Sequence, residues 1–170
     1  MELELQPPLT LAPNTFNILV GPDNVLVDSL NCSLKTLQRI QVLYVCGNYS
    51  RILDKLDRRF TELDVRRAFT AYQLLTILKE AYQTLIIFEH DPSLFEGASD
   101  MAEYVGQALK ETANGSAVLL YSPRTDPHLE EISKSADRVF VFNEVPKYVY
   151  KRASKKLKTG SKGQRTLEGF

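Results

Sequence analysis

The chain has 170 residues, 44% of them hydrophobic and 25% charged, with 21 Lys and Arg residues against 21 Asp and Glu residues. This composition is typical of one globular domain with a short extra segment, and no apolar run approaches the ~20 residues that a membrane-spanning helix requires. An integral membrane protein is therefore excluded. The first residues lack the positive charge and the apolar stretch of a secretory signal, which predicts a cytoplasmic location.

Apolar runs of strand length alternate with helix-period segments before the basic end of the chain. The predicted strands are 17–20, 42–46, 84–89, 117–121 and 138–142, with a short extended piece at 63–66. Most of these runs are continuously apolar, which is typical of parallel strands buried on both faces. We therefore predict an α/β fold with a mostly parallel central sheet and helices on both faces.

Helices are predicted between the strands, at 24–39, 50–59, 70–82, 99–113 and 127–135. Three of them have candidate N-terminal caps, which are Asp23 or Asn24, Thr70, and Ser99 or Asp100. Each cap offers a side-chain oxygen to helix N–H groups that lack a partner. Asn114 and Gly115 are expected to end the fourth helix with a left-handed residue.

The turn after the first strand is where a nucleotide-binding loop normally lies in such a fold. A P-loop, GxxxxGK[ST], wraps phosphates with backbone N–H groups, neutralises them with its lysine and holds magnesium through its hydroxyl. Counted from Gly21, the second glycine, the lysine and the hydroxyl are replaced by Leu26, Val27 and Asp28. The sequence therefore predicts a degenerate nucleotide site without the cation that phosphates need.

Five segments share their order and character with one known family: 17–22 leading into a helix, 42–46, 64–70 ahead of 72–75, 85–89, and 136–142. Over roughly residues 10–145 the chain resembles the RecA/RadA-type ATPase core and its degenerate relatives. The apolar strand that ends in Glu89 is similar to the second ATPase motif of that family. The resemblance implies a RecA-like fold and an ATP-dependent strand-exchange core. The degenerate nucleotide site consists of Gly21, Val27, Asp28 and Glu89. Because of it, we expect the chain to share the fold and the partners of this family but not its ATP hydrolysis.

Two carboxylates, Glu89 and Asp91, follow this strand at the edge where open α/β sheets place their sites. One interpretation is a metal-binding or general-base pair. We favour solvated strand-end acids, because carboxylates without a phosphate-binding lysine have no charge-balanced substrate. The pairs Arg58-Arg59 and Arg66-Arg67 are interpreted as salt-bridged surface rather than as DNA contacts.

Cysteine and histidine are too few and too scattered to predict a metal centre. Cys32 and Cys46 lack CxxC spacing, and His90 and His128 are the two histidines. Free cysteine is among the most buried residue types, so we predict that both cysteines are buried. We accordingly expect neither a metal nor a cofactor.

The net charge of zero conceals an acidic body and a basic tail. Residues 1–146 contain 13 Lys or Arg and 20 acids, a net charge of −7, whereas residues 147–170 contain eight Lys or Arg and one acid. Such an arm on an acidic body is typical of proteins that contact nucleic acid through the arm. The predicted nucleic-acid contacts are Lys151, Arg152, Lys155, Lys156 and Lys158.

The last seven residues match a docking-peptide pattern. Gln164, Leu167 and Phe170 follow one another at a spacing of three. The segment resembles the clamp-binding PIP box, Q-x-x-h-x-x-a-a, where h is aliphatic and a is aromatic, although Phe170 stands without a second aromatic residue. In a 3₁₀ helix residues i and i+3 eclipse, so Leu167 and Phe170 would project together as one apolar plug. The resemblance implies that this plug enters a pocket of the DNA sliding clamp, PCNA, while Gln164 makes hydrogen bonds at its edge.

We therefore predict a RecA-like domain at residues 1–146 and a flexible basic tail at residues 147–170. The predicted function is a nucleoid-associated, PCNA-binding accessory factor in DNA repair, recombination or replication, built on a non-catalytic domain. One alternative is a divergent ATPase or metal-dependent nuclease that the same tail recruits to DNA. Another is an adaptor whose body binds a recombinase or a replication protein. No membrane partner is expected.

Overall fold

The computed structural model describes residues 3–4 and 10–143 of the chain. The strands are β1 Leu3–Glu4, β2 Thr10–Leu11, β3 Phe16–Val20, β4 Val42–Cys46, β5 Leu63–Arg67, β6 Leu85–Glu89, β7 Ala117–Ser122 and β8 Arg138–Val141. The helices are α1 Asp23–Cys32, α2 Leu34–Leu37, α3 Ala71–Glu80, α4 Met101–Thr112 and α5 Pro127–Ser133. Short 3₁₀ turns lie at Leu53–Lys55 and Pro92–Phe95.

Six of the strands form one sheet in the order β5-β4-β6-β7-β3-β8, and every neighbouring pair is parallel. β1 and β2 form a separate antiparallel pair. The predicted α/β fold with a parallel central sheet is thus confirmed. The extended piece expected at 63–66 is a full strand, β5, which pairs with β4 from Leu63 to Arg67.

Helices cover both faces of the sheet, and an apolar core lies under each layer. α1, α2 and the segment around Ile52 and Phe60 pack on one face, whereas α3, α4 and α5 pack on the other. Successive side chains of a strand point to opposite faces, so Ile18 joins one core and Leu19 the other. β3, β4, β6 and β7 are buried along their whole length, and burial on both faces explains why they are mostly apolar in sequence.

Two helix predictions are corrected. The helix expected at 24–39 is broken at Ser33 into α1 and α2, where Asn, Cys and Ser have low helix propensity. The helix expected at 50–59 is wrong, because only the 3₁₀ turn at Leu53–Lys55 forms there. The Ser50 hydroxyl accepts hydrogen bonds from the backbone N–H groups of Ile52 and Leu53, which offers this backbone an alternative to a helix.

The cap predictions had mixed outcomes. Thr70 caps α3 by accepting a hydrogen bond from the Gln73 N–H, as predicted. The cap expected from Asp23 or Asn24 is wrong, because Pro22 stands at the N-cap position of α1. Asp100 stands at the N-cap position of α4, as predicted, but its side chain makes no capping hydrogen bond. The left-handed end expected at Asn114 and Gly115 is also wrong, because α4 ends in right-handed Ala113. A cap that was not predicted is Asp126, which accepts from the Leu129 N–H of α5.

The two cysteines differ in burial. Cys46 at the end of β4 is buried, as predicted, whereas Cys32 is exposed in the last turn of α1, which corrects the prediction for that residue. None of the helices in the part of the chain that the structure describes is long and apolar enough to cross a membrane.

Candidate functional site

A cleft of about 670 Å³ opens at the carboxyl edge of the sheet, beside the loops that follow β3 and β7. These strands are neighbours, yet the chain leaves β3 toward α1 on one face of the sheet and leaves β7 toward α5 on the other. Open α/β sheets place their ligands at such a topological switch point. The end of β8 also lines the cleft. The cleft is therefore the candidate functional site of the body.

The loop after β3 is too short to surround a phosphate. Val20 ends the strand and Asp23 begins α1, so only Gly21 and Pro22 lie between them. The Gly21 N–H donates to the Ser122 carbonyl of β7 at 3.1 Å between nitrogen and oxygen, which ties it to the sheet. A Cβ at Gly21 would lie 3.0 Å from the Cβ of Phe142, so the glycine permits a close approach of the chain after β8.

The other residues of the predicted degenerate site lie apart from the cleft surface. Val27 is buried in the core between α1 and the sheet, and Asp28 is exposed. Neither side chain lines the cleft. The position that carries lysine in a P-loop is thus part of the hydrophobic core.

The Asp23 carboxylate, in the first turn of α1, occupies the cleft wall instead. Its Oδ1 accepts hydrogen bonds from the Tyr121 hydroxyl at 2.5 Å and from Arg51 Nε at 3.1 Å, and Lys55 Nζ lies 3.2 Å from Oδ2. Burial tends to raise the pKa of Asp23, but the hydrogen bonds from Arg51, Tyr121 and Lys55 outweigh it and lower the pKa. A negative charge is also favourable at a helix N-terminus. Two cations of the cleft therefore share a carboxylate of the chain itself.

The Glu89 carboxylate at the end of β6 is buried, with 4% of the residue exposed. The Tyr44 and Ser50 hydroxyls each donate to its Oε2 at 2.6 Å, and the Arg51 backbone N–H donates to its Oε1 at 2.6 Å. Burial and the neighbouring Glu89 raise the pKa of Tyr44, so its hydroxyl remains a donor. Glu89 is thus not the solvated acid that its position at a strand end suggested.

Asp91, the second candidate carboxylate, has its own separate partners. Its Oδ1 accepts from the Ser93 N–H at 2.9 Å and so caps a 3₁₀ turn, and its Oδ2 packs against Gly47, which leaves no room there for a Cβ. The distinct hydrogen bonds of Glu89 and Asp91 give no sign of a shared ion. Within residues 3–4 and 10–143, no group of three or more His, Cys, Asp or Glu side chains is placed to hold a metal.

His90 lies between Glu89 and Asp91 in sequence, and its buried side chain also contacts another residue of the chain. Its Nε2 is 2.7 Å from Oδ2 of Asp126, and its buried Nδ1 has no hydrogen-bond partner in the described part of the chain. Burial lowers the pKa of His90, against the opposing effect of Asp126. His128 stacks on Phe95 with 4.9 Å between ring centroids. Both histidines therefore contribute to packing between α5 and the segment that follows β6.

Six residues whose contacts define the site were not predicted as site residues from the sequence: Asp23, Tyr44, Ser50, Arg51, Lys55 and Tyr121. A tyrosine within an otherwise aliphatic buried strand is the signal for two of them, because its hydroxyl needs a partner inside the protein. Arg51 and Lys55 carried no such signal, since a charged residue in a loop is common on any surface.

Two of the four arginines interpreted as salt-bridged surface form the predicted ion pairs, and Arg58 forms none within the described part of the chain. Arg59 pairs with Asp57 at 2.7 Å between Nη2 and Oδ2, and Arg66 pairs with Glu80 at 3.5 Å between Nη2 and Oε2. Arg67 differs, because its Nη1 lies 3.2 Å from the Gly47 carbonyl oxygen and 3.0 Å from that of Asn48. It therefore braces the loop after β4 against the end of β5.

The predicted clamp peptide and the predicted basic DNA contacts, all within residues 147–170, lie outside the described residues. The described part defines a doubly wound α/β protein whose strand-end acids are engaged by the chain's own donors. No protein-family model matches the chain. It is 35% identical over 125 residues to an uncharacterized protein of Archaeoglobus fulgidus, and the match covers 72% of this chain and 62% of that protein. The chain thus spans less than two thirds of the length of this archaeal relative.

We expect the purified protein to bind ATP negligibly. Although Arg51, Lys55 and Arg124 line the cleft, the P-loop lysine is replaced by the buried Val27, and the two-residue loop after β3 offers no ring of backbone N–H groups to hold a triphosphate. Calorimetric titration with ATP, in the presence and absence of magnesium, checks this expectation. Tight, magnesium-dependent binding would contradict it and would favour the enzyme alternative.

Proposed function

We propose that the protein is a non-catalytic accessory factor of the DNA sliding clamp, PCNA, and acts in DNA repair, recombination or replication. The observation that carries the proposal is the spacing of Gln164, Leu167 and Phe170, which resembles that of a clamp-binding peptide. This peptide follows a basic stretch that contains Gly160 and Gly163, a composition suited to a flexible tether. Action on DNA would place the protein at the nucleoid.

The absence of catalysis is supported by two acids at the carboxyl edge of the sheet, Asp23 in the cleft wall and Glu89 at the end of β6. Glu89 accepts three hydrogen bonds from the chain, and Asp23 is held by two cations and a hydroxyl. A general base or a metal ligand needs an oxygen that faces its substrate or ion. These carboxylates instead join segments that follow different strands of the sheet, which is a structural role.

A RecA-like origin of the body is supported by three features: the six parallel strands, the candidate cleft beside β3, which is the first strand of this sheet in sequence, and the apolar strand β6 that ends in Glu89. On this proposal the body keeps the RecA-like fold without a working nucleotide loop. A recombinase or a replication protein is then a fitting second partner, since the fold would be retained for interaction rather than for chemistry.

The proposal is tested by comparing the full chain with a version cut after Gly163 for binding to immobilised archaeal PCNA. We expect the full chain to bind and the shortened chain to lose binding, because the cut removes all three anchor residues. Circular dichroism controls for the fold of both proteins. Equal retention of the two proteins by the clamp, or retention of neither, would contradict the proposal.

We also expect the basic arm to strengthen recruitment to a clamp that is loaded on DNA. Replacing Lys151, Arg152, Lys155, Lys156 and Lys158 with Ser removes the predicted phosphate contacts. A flexible stretch of n residues spans ~5–6 Å × √n, so the arm and the peptide can reach one clamp–DNA junction together, and two weak contacts then act as one stronger contact. Binding through the arm should fall steeply with salt, with a log–log slope of about −0.9 per duplex phosphate neutralised.

Recruitment of this arm variant is measured on DNA-loaded clamp and on free clamp separately. The first should fall and the second should barely change. If both fell equally, or neither changed, the charges would serve only as a solubilising linker.

A further inference from the structure

Three aromatic side chains lie exposed near one end of the carboxyl edge of the sheet. Tyr49 is 84% exposed in the loop after β4, Phe69 is 57% exposed in the loop after β5, and Tyr72 is 65% exposed at the start of α3. The loops are adjacent, because Cys46 and Arg67 are paired in the last register of β4 and β5. Large aromatic rings left in solvent at a sheet edge offer faces on which a flat ligand can stack.

Three cations lie in the switch-point cleft at the same edge. Arg51 and Lys55 share the Asp23 carboxylate, yet their side chains remain 57% and 50% exposed. Arg124, in the loop after β7, is exposed and has no ion pair within the described part of the chain. Three cations against one carboxylate give the cleft a local positive charge, although residues 1–146 are acidic in total.

The loop after β4 contributes residues to both the aromatic group and the cationic cleft. Tyr49 and Arg51 lie two residues apart in one loop, and the cleft extends to Phe142 and Asn143, beyond which the basic tail follows in sequence. From β5 to β7 the edge crosses three strand spacings, about 14 Å at ~4.8 Å each. Six residues in or beside the loops that follow β4, β5 and β7 form what we call the carboxyl-edge strip: Tyr49, Arg51, Lys55, Phe69, Tyr72 and Arg124.

We propose that the carboxyl-edge strip binds a short segment of single-stranded DNA, with bases stacked on the aromatic rings and phosphates beside the cations. Aromatic platforms combined with basic side chains are the chemistry by which proteins hold single strands without sequence preference. A duplex hides the base faces and so cannot stack on the aromatic rings, and its higher charge density is repelled more strongly by the net charge of −7 on residues 1–146. The inference rests on the proposed function for the presence of DNA near the protein, but the strip contains none of the predicted clamp-binding residues.

The test measures binding of a fluorescein-labelled oligo(dT) to the full chain by anisotropy at low salt. The arm variant with five Ser substitutions serves as the background, so that the tail does not mask the body. In it, Tyr49→Ser and Phe69→Ser should each weaken binding about fivefold or more, the range of losing one stacked base. Arg124→Gln should weaken binding and reduce the log–log salt slope by about 0.7, the value for one phosphate contact of a single strand.

The matched controls lie at the opposite edge of the sheet. Tyr82→Ser removes a tyrosine that is 72% exposed just before β6, and Arg39→Gln removes an exposed cation just before β4. Neither should change the affinity for oligo(dT), and none of the five substitutions should change the affinity for duplex DNA.

Unchanged oligo(dT) binding in the strip variants, or equal losses in the controls, would overturn the proposal. Tighter binding of oligo(U) than of oligo(dT) would overturn its assignment to DNA. Clamp binding is measured in the same proteins and should be unaffected by the strip substitutions. If the chain fails to bind the clamp while the strip variants still lose oligo(dT) binding, the proposed function fails and the strip assignment stands.

Discussion

Replacing Glu89 with Ala is expected to lower the free energy of unfolding by about 3 kcal/mol or more. The substitution leaves the Tyr44 hydroxyl, the Ser50 hydroxyl and the Arg51 N–H without their common acceptor. It also opens a cavity in a site that is 4% exposed. A buried group that loses its hydrogen-bond partner keeps the cost of its own desolvation, which is why the effect should be large. Urea denaturation measures it, with an unchanged m value showing that the unfolding transition is the same.

Two further variants sharpen this experiment. Glu96→Ala removes an exposed acid seven residues away and should stay within about 0.5 kcal/mol of the original stability. A double-mutant cycle between Tyr44→Phe and Glu89→Ala isolates the energy of their interaction, which we expect to be favourable.

The sign of the Glu89 effect separates a structural acid from a catalytic one. Acids that an enzyme keeps for its chemistry commonly cost stability, so that removing them stabilises the protein. If Glu89→Ala left stability unchanged or raised it, the structural role would be wrong and the divergent ATPase or nuclease would become the better proposal.

Replacing both Leu167 and Phe170 with Ala should weaken binding to PCNA by about 2 kcal/mol or more, which is roughly 30-fold in the dissociation constant. On the proposed function the two side chains enter the clamp together, since a spacing of three places them on one side of a 3₁₀ turn, and anchor residues in desolvated pockets carry most of the energy of an interface. Isothermal titration calorimetry with free clamp gives the affinity directly.

The matched control for this variant is the double substitution of Thr166 and Glu168, which lie between the anchor positions. Because the proposed binding mode places neither side chain in the pocket, their replacement with Ala should change the affinity little. Equal losses from both double mutants, or no loss from Leu167 and Phe170, would show that the PIP-box assignment is wrong.

The parallel sheet could be predicted from the sequence because strands buried on both faces must be apolar throughout. β4 was predicted with its observed bounds, and β3, β6, β7 and β8 within one residue at an end. The absence of a helix at 50–59 could not be predicted from the sequence, because the backbone of this segment makes tertiary hydrogen bonds. The Arg51 N–H donates to a carboxylate 38 residues further along the chain, and no local pattern reports such a contact.

By itself, the sequence determined the features that depend on neighbours along the chain: the α/β alternation, the division of charge between body and tail, and the spacing of Gln164, Leu167 and Phe170. Only the tertiary structure decided the role of the acids. Tyr44 and Glu89 are 45 positions apart, and Asp23 and Tyr121 are 98 positions apart. The parallel sheet brings the carboxyl ends of its strands to one edge, and there the donors that saturate each carboxylate come from loops distant in sequence. The hydrogen-bond partners of a side chain at that edge therefore depend on which strands are neighbours, and strand order is a property of the folded chain.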